Sequence, residues 1–276
     1  MADVDQKLTD LIGFSRNAFD TAQALQRWSS RIQWFLTGIA VLAVFVPGEK
    51  AAMTAAGLSF LGAVALAGLG LRQQAFRRYG ERVRRATLLA TGLGHELSAH
   101  EFRRIQTDFE GERDRAAGKA DPDYYASGLP AGEERLIENL YESAFWSADL
   151  YRHSAKSAWI RFAVMAIAVI FIIVTTLPFL SDELPIILSR IVLVVMTILA
   201  SREVFGDAVA YSTAHREVCL IMERLEALRV KADKTADLML ILGDYNSAVE
   251  MAPMPESGVY ERRRNVVSEA WRETRS

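Results

Sequence analysis

The chain has 276 residues and a formal charge of −2, so no basic excess calls for nucleic acid, and nucleic acid is not expected as a partner. With 51% of residues hydrophobic and 24% charged, greasy and solvated stretches must be segregated along the chain. Cys219 is the only cysteine, which excludes a disulfide framework and a Cys-rich metal site.

Residues 1–31 are polar, carry Asp3, Asp5, Asp10 and Asp20, and are unlike a cleavable signal sequence. They predict a helix, because Leu8, Leu11, Ser15, Ala18, Ala22, Leu25, Ser29 and Ile32 step by three and four, the period of helix pairing. Residues 32–46 are apolar except for Gln33 and Thr37 and stop at Pro47-Gly48-Glu49-Lys50, a short first span with Trp28 and Trp34 at an interfacial position. Residues 51–71 return as a second span. Ser59, Ala63 and Ala67 recur every four residues there, a spacing that permits close helix packing in lipid.

Beyond Leu71 the chain turns basic but remains helical, with a seam of Phe76, Tyr79, Val83, Ala86, Ala90, Leu93 and Leu97 that fails after Phe109. Arg77, Arg78, Arg82, Arg84 and Arg85 are candidates for a juxtamembrane anchor on anionic lipid, or for an anionic ligand or partner. Residues 111–133 read as a loop from their Gly, Pro and Asp content, and Asp121 to Tyr125 is its candidate for a regulatory contact.

A third seam, Ile137, Tyr141, Ala144, Ala148, Tyr151, Ala155 and Ala158, runs into the most hydrophobic part of the chain. Phe162 to Leu180 carries no charge, Ser181-Asp182-Glu183 turn, and Leu184 to Ala200 carries only Arg190. A span needs about 20 mostly apolar residues, so spans are expected at about 162–180 and 184–200. A fourth seam follows: Val204, Ala208, Tyr211, His215, Val218, Met222, Leu225. Residues 236–249 predict a helix, 251–258 a break, and 259–275 a basic helix.

Shifting residues 11–32 by 126 positions lays the first seam on the third, and a shift of 132 lays Tyr79 on Tyr211 and Ala86 on Val218. The order helix, span, tight tip, span, helix recurs, so an internal duplication is expected. The units are 1–110, a loop at 111–133, a second unit at 134–250, and a C-terminal linker and basic helix at 251–276. Of the 32 Lys and Arg, all but Lys50 and Arg190 lie outside the two hairpins, which places both termini and the helical extensions on the cytoplasmic side of the membrane. The expected fold is all-α: a polytopic membrane protein with two transmembrane hairpins and long cytoplasmic helices.

No enzyme constellation or cofactor motif is visible. His95 and His100 are five apart, roughly 140° around a helix, and do not form a metal-binding pair. Arg190 lies six positions into the fourth span, where it either snorkels to the outer head groups or faces a water-filled path with Ser189, Thr197 and Ser201 along the same arm. Thr175 and Thr176 are candidates for the outer mouth of that path. One chain offers too few polar groups for a pore, so a homo-oligomer is required.

The long helix REVFGDAVAYSTAHREVCLIMERLEAL, the approach YESAFWSADLYRHSAKSAW and the tail APMPESGVYERRR, set on doubled hairpins, resemble the SLATT superfamily and its four-transmembrane, SMODS-associated relatives. The resemblance covers nearly the whole chain but rests on architecture, and it transfers no active-site residue. It implies a pore-forming effector of a bacterial anti-phage conflict system, triggered through a partner that makes or senses a nucleotide. The alternatives are a non-conducting membrane scaffold that anchors signalling partners and a small-solute transporter, against which the lack of acidic residues and of Pro-broken helices within the spans counts.

Overall fold

The structure is a computed structural model that describes residues 2–45, 49–111, 113–121, 124–176 and 205–275. All regular structure among the described residues is helical. In chain order the helices are α1 (Ala2–Phe45), α2 (Glu49–Leu93), α3 (Ala99–Thr107), α4 (Arg113–Ala117), α5 (Glu133–Thr176), α6 (Asp207–Arg229), α7 (Thr235–Met251) and α8 (Val259–Arg275).

The expected seams are buried stripes. Leu11, Ser15, Ala18 and Ala22 of α1 are buried, as are Tyr79, Val83 and Ala90 of α2. Small residues on both sides bring these two helices close: the Ser15 hydroxyl donates to the Gly80 carbonyl at 3.1 Å, and farther along Leu36 covers Gly62. The pairing of 15 with 80 and 36 with 62 makes α1 and α2 an antiparallel hairpin. In α5 the stripe Ile137, Ala144, Ala148, Tyr151, Ala155 and Ala158 meets Ala208, Tyr211, Ala214, Val218 and Leu225 of α6, again antiparallel, because His215 reaches the Ala148 carbonyl while Trp159 reaches Phe205. Ala214 fills the centre of that stripe, and His215 lies at its half-buried edge.

Three boundaries differ from expectation. The first span is no separate element, since α1 is one continuous rod from Ala2 to Phe45. Helix α2 stops at Leu93 instead of running on through Leu97: Gly94 takes φ +71°, a left-handed conformation that favours glycine at a helix C-terminus, and its N–H returns to the Ala90 carbonyl at 2.9 Å. His95 consequently precedes α3 while His100 lies within it, so the two do not share a helix. The stretch 111–133 is mostly loop, as its composition suggests, but holds the short α4.

Candidate functional site

Past the bundle the long helices continue as apolar rods. Phe60 is 69% exposed, Val64 57%, Ile167 65% and Phe171 66%. Such faces are costly in water, at about 25 cal/mol for each Å². Among the described residues one helical stretch, Met53 to Leu93 within α2, is long and apolar enough to cross a membrane, and its apolar window is wholly unburied. Trp28, Trp159 and Phe205 stand where the rods leave the bundle; Trp159 packs edge-on against Phe162 and Phe205 and donates its indole N–H to Ser212 at 3.0 Å.

At that same level the break between α7 and α8, residues 252–258, lies across the roots of all four long helices. From α2, Arg77 donates to the Val249 carbonyl at 2.8 Å and to the Ala252 carbonyl. These are orphaned carbonyls at the end of α7, a helix with no basic residue of its own in the last turn, so a guanidinium supplies what the sequence of α7 lacks. From α5, the Ser154 hydroxyl accepts from the Glu256 N–H at 3.0 Å, and Arg161 pairs with the Glu256 carboxylate. From α6, the Tyr211 hydroxyl donates to the Met254 carbonyl at 2.6 Å. From α1, Arg27 donates to the Ser257 hydroxyl at 3.2 Å. One seven-residue strap therefore touches every long helix.

Between the strap and the other end of the bundle lies a cleft of about 1170 Å³, bordered by Arg16, Tyr124, Trp146, Tyr245, Met254 and Pro255, among others. The most buried ion pair on its walls is that of Arg84 with Glu81. That guanidinium binds Glu81 at 2.8 Å, the Tyr245 hydroxyl at 3.1 Å and Asn246 at 3.4 Å, and stands 5.0 Å over the Tyr245 ring. Burial opposes the charge on Arg84, but Tyr245 and Glu81 outweigh it and leave the pKa above the usual arginine value. Arg16 pairs with Asp121 at 3.1 Å and lies over Tyr124, and Lys119 pairs with Asp20. Most charge on these walls is thus met within the protein, and the cleft by itself specifies no ligand.

The expected basic anchor is divided. Only Arg78 points outward, touching Gln74 on its own helix. Arg77 holds the strap, Arg82 pairs with Asp108 at 2.7 Å, Arg84 pairs with Glu81 in the wall of the cleft, and Arg85 pairs with Glu250 at 3.3 Å. At 100° per residue all five fall within an arc of about 160° around α2, and four of them are turned to partners inside the protein. Of the packing trio, Ser59 is half-buried, Ala63 and Ala67 are exposed, and Gly62 makes the close approach. Asp121 and Tyr124 join the cleft as the loop's candidate contact. Arg190, Ser189, Thr197 and Ser201 lie outside the described residues, as do the side chains of Thr175 and Thr176.

Sequence reasoning passes over Arg27, Ser154, Arg161 and Glu256, and takes Tyr211 only as a seam residue. The only available signal is a seam tyrosine and a serine sitting among apolar neighbours, which on a buried stripe must find a hydrogen-bond partner. The fold and this site together describe an all-helical protein with a folded polar bundle at one end and bare apolar rods at the other. No family model, no curated protein and no solved structure matches the chain.

Proposed function

We propose that the chain is a pore-forming effector of the bacterial inner membrane, with four spans in two duplicated hairpins and with both termini in the cytoplasm. The observation that carries the reading is the set of unburied apolar rods leaving one end of a charged bundle, which a bilayer would cover. Two features support duplication. Tyr79 and Tyr211, equivalent under the 132-residue shift, are both buried and both donate their hydroxyls to a backbone carbonyl, of Ile105 and of Met254. The paired seams Leu11–Ala22 and Ile137–Ala148 are each buried and each lead into an apolar rod.

The bundle receives the signal and the rods conduct. Assembly of several copies completes the path, with Arg190 as the residue that biases it toward anions. A nucleotide-synthesising or nucleotide-sensing partner supplies the trigger, as the resemblance to SLATT effectors implies. Expression with that partner and its signal should collapse the membrane potential, read with a potential-sensitive dye. An unchanged potential under those conditions contradicts the pore and favours the scaffold. Arg190→Ala should alter the anion-to-cation permeability ratio of vesicles holding the protein; an unaltered ratio assigns Arg190 to the head groups.

A further inference from the structure

We propose that the strap at residues 252–258 is a releasable latch, which holds the roots of α1, α2, α5 and α6 together and must let go before the apolar rods can part. The inference rests on reading those four helices as the roots of membrane spans. A loop that merely joined α7 to α8 would need contacts to those two helices alone. This one is held from four separate helices: by Arg27 of α1, Arg77 of α2, Ser154 and Arg161 of α5, and Tyr211 of α6. The anchors on α1, α2 and α5 lie near where those helices pass from charged bundle to apolar rod, and Tyr211 lies one turn into α6.

The strap is anchored in two ways. Ala252 and Met254 are buried, Ala252 within the apolar core, whereas the ties to the four helices are hydrogen bonds and one ion pair. Those polar groups can exchange their partners for water once the strap lifts, so this part of the anchorage suits release. Met254 and Pro255 also border the cleft, so the inner side of the strap can be reached from solvent without first separating the helices. Arg77 gives the latch its direction. Withdrawing it exposes the end of α7 and frees α2 in the same movement, which couples the C-terminal helices to a span root.

The test uses the full chain in lipid vesicles. Spin labels are placed at Ser30→Cys on α1 and Lys156→Cys on α5, both exposed positions, in a Cys219→Ser background. In Arg77→Ala/Arg161→Ala the distance between labels should lengthen and broaden by a few ångströms, the scale of helix shifts in switching proteins. Amide exchange in the α5–α6 seam should stay unchanged. Ion leak from the same vesicles should rise at least about fivefold, the lower end of ordinary coupling strengths. A gentler pair, Tyr211→Phe/Ser154→Ala, removes only hydroxyls and should move the distance in the same direction by less. Unchanged distances in both variants overturn the latch, whatever the leak. Longer distances in vesicles that stay tight uphold the latch and contradict the pore.

Discussion

Arg84 illustrates how much a single residue's role depends on partners far away in sequence. Next to a span, in a run of arginines, it reads as a lipid anchor, because the run carries no information about which member points where. Its partners Tyr245 and Asn246 lie about 160 positions downstream, beyond the reach of any local pattern. Breaking a buried pair strands the remaining charge, so Arg84→Met should lower unfolding stability by about 3–5 kcal/mol, and adding Glu81→Gln should recover most of that loss. Denaturant melts in detergent micelles read both. Tyr151 and Tyr211 make a second prediction. Burial, the largest influence on each, raises both phenols above the usual tyrosine value. Above about pH 10 the unfolded chain therefore loses protons that the folded chain keeps, and stability present below that pH falls by up to about 1.4 kcal/mol per pH unit for each group. Replacing either by Phe should flatten the decline between pH 10 and 12, whereas an unaltered slope would show that the phenols titrate freely when folded.

At the scale of the element, most of the helices are legible because their seams have a clear period and little competes with it. The last helix begins and ends at Val259 and Arg275, as its flanking Gly258 and charge pattern suggest. What periodicity does not give is where a continuous helix stops. Phe76 to Leu97 keeps its phase through Gly94, and only the left-handed backbone at that glycine ends α2. Two other glycines separate packing from propensity. A Cβ on Gly92 would lie 2.9 Å from the Leu136 backbone, so Gly92→Ala should force α2 and α5 apart at a cost of about 1–3 kcal/mol. A Cβ on Gly243, in the middle of α7, would meet nothing within 4 Å, and Gly243→Ala should stabilise by about 0.5–1 kcal/mol. Melting temperatures moving in opposite directions would bear this out; two shifts of the same sign would contradict the packing of α2 on α5.

For the whole molecule, the sequence separates bundle from rods through hydropathy and charge, which are properties of stretches. It does not announce the strap or the cleft. Both arise where distant segments meet, and the strap's own residues, with their proline and glycine, read only as a break. The arrangement accounts for a chain that is half hydrophobic yet rich in arginine: the cations knit the bundle internally, and the apolar rods are left uncovered. The most direct test of that division is labelling of single cysteines on intact spheroplasts with a membrane-impermeant maleimide, in a Cys219→Ser background. Lys50→Cys should react from outside, and Gly128→Cys should react only after the inner membrane is opened. Reaction of Gly128→Cys on intact spheroplasts, or recovery of the chain in the soluble fraction without detergent, would contradict the account.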